Sequence, residues 1–310
     1  MLNIKKWLKF ILKLIVSLAF VAWLIFKVDW QEVLFYFEKI SLWQTLLYIA
    51  VVILSITVSS YKWKILVEFK KFNVPLEKAF QLYLAGIFIN NFMPSFIGGD
   101  TYKAYQLGKE KKEYVSAATS VVMDRITGLL GAMLLSVFFA LFNWGVVSKY
   151  QVLIIILGII IASLVAVIIL LIAARLSFWE KISKYIPEKV LRIIRDLLHY
   201  VSDRKMMFKI LVLSLIFNFI GLAVANYVLF WGLGIEIDML NYLTVIFLIS
   251  IVSSIPISIN NIGIKEWAYV TFFGFFGVAS SGVVAVALLS RVIQMVISFA
   301  AVPFYLKNKK

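Results

Sequence analysis

The chain has 310 residues, of which 63% are hydrophobic and 15% charged, and its formal net charge is +15. That is the composition of a membrane protein, and with no cysteine in the chain it excludes disulfides, thiolate catalysis and Cys-based metal sites. The positive charge sits in short stretches between apolar runs, so the positive-inside rule accounts for it without nucleic acid, and attraction to anionic lipid at the cytoplasmic face follows from it.

The apolar runs Leu8–Val28, Leu42–Tyr61, Ile126–Phe142, Val152–Ala174, Ile210–Trp231 and Val283–Leu306 are each near the ~20 residues that cross a ~30 Å hydrocarbon core as a helix. The first carries Lys5, Lys6, Lys9 and Lys13 around its start. Its apolar part is too long for a signal peptide and no small-residue cleavage site follows, so it reads as a retained helix. A basic start places the N-terminus in the cytoplasm and the loop holding Asp29, Glu32 and Glu38 outside. Leu42–Tyr61 then returns to a basic inner stretch with Lys62, Lys64, Lys70, Lys71 and Lys78.

Next comes Ala79–Ile97, apolar but followed again by basic residues, Lys103, Lys109, Lys111 and Lys112. A full crossing would put one basic flank on the wrong side, so the pattern predicts a re-entrant hairpin. Ala79–Asn91 enters from the cytoplasmic side, the chain turns between Pro94 and Gly99, and Asp100 leads back. Within "FMPSFIGGDTYKAY" the proline removes a helical hydrogen bond and the residue before it resists the α region.

Ile126–Phe142 exits to an outer loop, Asn143–Gln151, and Val152–Ala174 returns to the basic stretch Arg175–Lys209. Residues 177–208 form a cytoplasmic amphipathic segment, in which Val190, Leu191, Ile194, Leu197, Leu198 and Val201 recur at helical spacing. Its default role is interfacial anchoring, with docking of a partner enzyme as the alternative. Ile210–Trp231 crosses to the outer loop of Glu236 and Asp238, while the tail Lys307, Lys309 and Lys310 reads as inside. Tyr242–Phe276 must therefore enter and come back, around "SIPISINNIGIKEWAY".

The expected fold is one all-α polytopic membrane domain over 1–310, with about six full spans plus two re-entrant helical hairpins. Residues 1–150 and 151–310 form two inverted halves, and paired Gly/Pro-interrupted segments in such halves point to a transporter's binding site. The alternative is that Pro94 and Pro256 mark ordinary interhelix loops. Tryptophans support the layout, with Trp7, Trp63 and Trp179 at the inner edge and Trp30, Trp43, Trp144 and Trp231 at the outer, Trp23 and Trp267 being the exceptions.

Ionisable groups at bilayer depth cost roughly 2.5–3.5 kcal/mol on insertion scales and usually face a cavity or a partner. Asp100, Lys103, Lys265 and Glu266 belong to the interrupted segments, and Arg291 sits inside the last span, beyond easy snorkelling, where it reads as a site residue or as half of a purely structural ion pair. Asp124 and Arg125 are neighbours pointing about 100° apart on a helix; they read either as site residues or as an interfacial pair snorkelling to water. Half-helix N-termini suit anions, and arginine's planar fork matches phosphate. Asn90, Asn91, Asn260 and Asn261 either satisfy freed backbone groups, bind a headgroup or form the turns. The expected ligand is a membrane lipid with an anionic or phosphate-bearing headgroup.

Catalysis has no recognisable motif: there is no Ser–His–Asp set, HExxH or glycine-rich nucleotide loop, and the sole histidine, His199, reads as a surface residue. The expectation is a protein that is not an enzyme, with no cofactor and no metal. A carboxylate-only headgroup transferase using Asp100, Asp124 and Glu266 stays open as an alternative.

The segments "NNFMPSFIGGDTYKAY", "DRITGLL" (Asp124–Leu130) and "IPISINNIGIKEW", in this order, resemble the signature of the lysylphosphatidylglycerol synthase transmembrane-region family, also called flippase-like domain proteins. The resemblance covers nearly the whole chain. It implies movement of a polar lipid between leaflets, and it carries over to Pro94, Gly98, Gly99, Asp100, Asp124, Arg125, Gly263 and Glu266. The family's best-understood members add a soluble aminoacylating domain. None follows Lys310, so the expectation is that this chain does not make lysyl-lipid itself. The "INN" before Gly263 departs from the family's proline- and glycine-rich turn. The expected function is a lipid transporter of the cytoplasmic membrane with both termini inside; a scaffold for a glycosyltransferase or lipid-modifying enzyme is the alternative.

Overall fold

A computed structural model describes residues 4–92, 97–173 and 187–307. The described residues are helical with short connections. Five helices are long and apolar enough to cross a membrane: Leu42–Phe69, Tyr114–Phe142, Gln151–Ala173, Arg204–Gly232 and Ser280–Leu306. A sixth span arises only if Ile11–Lys27 and Trp30–Lys39, bent by 84°, count as one.

In chain order, α1 (Ile4–Lys27) is followed by α2 (Trp30–Lys39) rather than by the expected loop. Asp29 is the reason, because its carboxylate accepts from the backbone N–H of Gln31 and Glu32 and caps the new helix. Ser41 starts α3 (Leu42–Phe69) with a capping box closed by Gln44. This helix runs eight residues past the expected Tyr61, since Trp63–Phe69 supplies apolar surface that finds cover: Trp63, Leu66 and Val67 are buried. Lys62, expected in a cytoplasmic loop, lies inside the helix and inside the protein.

The first interrupted segment is a helical hairpin of α4 (Leu76–Phe92, 17 residues) and α5 (Ile97–Lys111, 15 residues). At 1.5 Å per residue these reach about 26 and 22 Å, short of a full crossing. The two helices are joined at the open end by a Lys78–Glu110 ion pair and near the tip by the Gly99 N–H, which donates to Asn90 Oδ1 at 2.7 Å. Between them the backbones touch: a Cβ on Gly99 would lie 2.0 Å from the Gly86 carbonyl oxygen. The expected turn at Pro94 lies outside the described residues, as do Trp179, Lys309 and Lys310.

Helix α6 (Tyr114–Phe142) extends the apolar run Ile126–Phe142 back to Tyr114, the expected start of the amphipathic approach to this helix, and it carries Asp124 and Arg125 as expected. A helical turn, α7 (Trp144–Val147), interrupts the expected outer loop before α8 (Gln151–Ala173). The described part of the amphipathic segment is α9 (Glu188–Tyr200); Asp203 caps a new helix, so the segment ends there instead of running on to 208.

Helix α10 (Arg204–Gly232) carries a π-turn over Phe219–Val224. A π-turn shifts the backbone bonding register; here Tyr242 Oη donates to the Ala223 carbonyl at 2.6 Å and Asn226 Nδ2 to Leu222 at 2.8 Å. The second interrupted segment is α11 (Met239–Ser253) and α12 (Ile264–Gly274), too short to cross at 15 and 11 residues. Its turn holds Asn260 and Asn261 at φ 47° and 54° and Gly263 at φ 84°. Last come α13 (Ser280–Ser298) and α14 (Val302–Lys307), joined by a 3-10 turn.

Candidate functional site

Both hairpin tips touch the last long helix. Asn91 Nδ2 donates to Ser298 Oγ at 2.8 Å, and Arg291 donates to the carbonyls of Asn260 and Asn261 at 3.0 and 3.2 Å. Arg291 and Ser298 are two helical turns apart, about 10 Å along the axis. Around each tip lies a cluster of ionisable side chains.

The first cluster draws on four helices. Asp124 of α6 is fully enclosed: Lys62 of α3 approaches its Oδ1 at 3.0 Å, with both side chains 1% exposed, and also donates to the Asp124 carbonyl at 3.0 Å. Tyr83 of α4 donates to Asp124 Oδ2 at 3.1 Å and accepts from Ser59 at 2.7 Å. Lys103 of α5 sits 3.2 Å from Asp100 and 4.0 Å from Asp124, with its ammonium 4.1 Å from the Tyr83 ring centroid. Asp100 in turn receives Arg125 through both Nε (2.8 Å) and Nη2 (3.0 Å), the planar two-point geometry of a guanidinium on a carboxylate.

Asp124 and Arg125 thus diverge as the helix dictates. Asp124 faces inward, while the Arg125 side chain remains 55% exposed. Three cations (Lys62, Lys103, Arg125) face two carboxylates (Asp100, Asp124), leaving one positive charge in excess.

The second cluster lies at the tip of the α11–α12 hairpin. Glu266 accepts from the Gly263 N–H at 2.8 Å and from Arg291 at 2.8 Å, so one carboxylate both caps α12 and holds the guanidinium. Lys265 donates to Ser290 Oγ at 2.8 Å, with no carboxylate within ion-pair reach among the described residues. Two cations here face one carboxylate, again an excess of one positive charge. Ser253 Oγ, Ser258 Oγ and Asn261 Oδ1, all in or beside this break, are buried with no hydrogen-bond partner, an arrangement that costs free energy unless a guest supplies the bond.

The structure therefore gathers Gly99, Asp100, Lys103, Asp124 and Arg125 at one end, and Asn260, Asn261, Gly263, Lys265, Glu266 and Arg291 at the other, with Asn91 tying the first tip to the last helix; Gly98 lies on the other face of α5, beside Thr101 and Tyr102. Gly99 serves close helix packing, and Gly263 serves a left-handed turn pressed on Phe20, 2.3 Å from where a Cβ would stand. Four residues escaped the sequence reading: Lys62, Ser59, Tyr83 and Tyr48. Tyr48 accepts from Gln294 at 2.8 Å and its hydroxyl approaches the Ser290 carbonyl at 3.5 Å. Tyr48 and Lys62 place the two clusters about 21 Å apart along α3. Trp63, read as an interfacial anchor, is buried instead, with its indole N–H on Ser120 Oγ at 3.2 Å. No group of three or more metal-ligating side chains occurs among the described residues.

A UPF0104 membrane protein of Methanothermobacter thermautotrophicus is 25% identical over 273 residues, covering 79% of this chain and 80% of that protein. One from Methanocaldococcus jannaschii is 26% identical over 275 residues (81% and 80%), and one from Pyrococcus horikoshii is 27% identical over 296 residues (86% and 87%). No solved structure matches. The family described as the lysylphosphatidylglycerol synthase TM region matches residues 10–301, and the chain belongs to it.

Proposed function

We propose that the protein moves a phosphate-bearing membrane lipid, a phospholipid or a lipid-linked sugar, between leaflets of the cytoplasmic membrane, with both termini in the cytoplasm. The observation that carries this reading is the pair of charge clusters at hairpin tips, each with one positive charge in excess and separated along α3. Buried charge is costly unless compensated, and a phosphodiester supplies one negative charge. In this reading the headgroup passes from the Asp100–Arg125 region to the Glu266–Arg291 region while the tails stay in lipid. The two halves, arranged as inverted repeats, rock against each other to expose each region in turn.

No step in this cycle makes or breaks a covalent bond, so the protein acts as a carrier and not as an enzyme. Leaflet exchange of headgroup-labelled lipids in reconstituted vesicles tests the reading. Exchange faster than in protein-free vesicles, and lost in the Asp124→Asn plus Glu266→Gln variant, supports it. Rates untouched by that variant contradict it. A covalently altered lipid would point to a headgroup transferase instead.

A second reading has its own observation. Helix α9 keeps Val190 and Ile193 exposed while Lys70 holds it against the protein through Asp196 Oδ1 at 2.7 Å. That fixed, half-apolar cytoplasmic face suits a lipid-modifying enzyme as partner. If disrupting Arg192 and Arg195 harms function more than neutralising Arg291, the scaffold reading prevails.

A further inference from the structure

The first hairpin has a second face that the charge clusters do not use. At 3.6 residues per turn, Asp100 and Lys103 lie on one side of α5 and Gly98, Thr101, Tyr102 and Tyr105 on the opposite side. That opposite side lines a cavity of about 560 Å³, walled also by Phe88 and Ile89 of α4 and Tyr305 of α14.

The walls are aromatic and interlocked. Tyr305 stands 5.5 Å from Tyr102 and 6.2 Å from Phe88 between ring centroids, and Phe88 makes an edge contact with Phe299 at 5.7 Å. Among the described residues no charged side chain lines the space, and Gly98 adds bare backbone to its wall. Such a cavity is of the size and character of a small-molecule site.

We propose that this cavity holds the hydrocarbon chain of a phospholipid. Its walls belong to the hairpin and the end of the last helix, which the carrier reading sets within the bilayer, so on that reading a hydrocarbon reaches it without leaving its own medium. At about 30 Å³ for a water-sized group, the volume takes on the order of 18 such groups, and a methylene is of similar size, so one acyl chain fills it. In hydrocarbon surroundings the selectivity comes from shape and dispersion against the rings, not from hydrophobic transfer. The site rests on the reading of the protein as a lipid carrier and extends it. A chain lodged against Tyr102 bears on the helix whose other face holds Asp100, so tail occupancy and the Asp100–Arg125 pair share one rigid element.

The test is photolabelling of the full-length protein in phosphatidylglycerol/phosphatidylethanolamine vesicles, using a phospholipid with a diazirine at mid-acyl chain, read by peptide mass spectrometry. Label concentrated on Phe88–Ile89 and Thr101–Tyr105, lost in Thr101→Trp and kept in the α8 control Ile168→Trp, supports the site. Label spread evenly over lipid-facing helices, α8 included, or undiminished in Thr101→Trp, overturns it. Should Thr101→Trp fail to fold, Tyr305→Ala removes one wall and carries the same expectation: loss supports, persistence refutes. Labelling requires no translocation. A protein that labels here yet exchanges no lipid keeps this site and loses the transport reading, and one that exchanges lipid without labelling does the reverse.

Discussion

Lys62 and Asp124 meet at 3.0 Å with both side chains almost completely enclosed, joining the third helix to the sixth inside the protein. Removing one member of such a pair strands the other, which typically costs 3–5 kcal/mol. Lys62→Met should lower stability by about 3 kcal/mol, the low end, because Tyr83 and Lys103 still face Asp124. Thermal unfolding in detergent checks this. Lys62→Met combined with Asp124→Leu should recover part of the loss, and a double variant weaker than the single would contradict the pairing.

Gly99→Ala should damage the first hairpin, because the new methyl carbon would stand 2.0 Å from a backbone oxygen of Gly86 that cannot step aside. Overpacking typically costs 1–3 kcal/mol, and a clash with backbone belongs at or above the top of that range. Gly145→Ala, with nothing within 4 Å, is the matched control. Equal melting temperatures for the two variants would refute the close approach of α4 and α5.

Arg291→Lys keeps the charge but cannot span the three acceptors that the guanidinium holds, two turn carbonyls and Glu266. Amide hydrogen exchange across residues 254–263 should accelerate in this variant. Arg291→Met should accelerate it further, since Glu266 is then left without its ionic partner. Unchanged exchange in both would show that the turn stands without Arg291.

Lys70→Met should release the amphipathic helix α9. Its ammonium bonds the Asp196 carboxylate and carbonyl at 2.7 and 3.1 Å and lies 4.5 Å from the Tyr200 ring, while Thr119 bonds the other carboxylate oxygen. Hydrogen exchange over Glu188–Tyr200 should quicken with the rest of the chain unaffected. A global change would place the defect in the fold instead of in this contact.

The hairpins were legible because proline, paired glycines and charges are costly in an apolar run, so their presence in "FMPSFIGGDTYKAY" and "INNIGIKEW" marks a break. The division of Asp124 from Arg125 followed from helical geometry alone. Lys62 was not legible: the positive-inside rule assigns a lysine near a helix end to the loop, and only the burial of Trp63, Leu66 and Val67 shows that the helix continues past it. Tyr83 and Ser59 carry no signal in one sequence, since each is an ordinary residue until a carboxylate from a distant helix arrives beside it. The same holds for Gly86, whose role exists only against Gly99. The bend after α1 was readable in principle from Asp29 as a helix cap, but its acidic neighbours read more simply as an outer loop.

The proposed lipid path requires a hairpin that enters the membrane and returns to the face it left. Because the chain has no cysteine, Glu77→Cys and Lys109→Cys, each exposed near the base of one hairpin helix, can be labelled singly with a membrane-impermeant maleimide in vesicles of known orientation. Labelling of both positions from the cytoplasmic face is the predicted result. Labelling from opposite faces would make α4 and α5 a crossing, and would take the charged tip and the lipid path built on it out of the membrane interior.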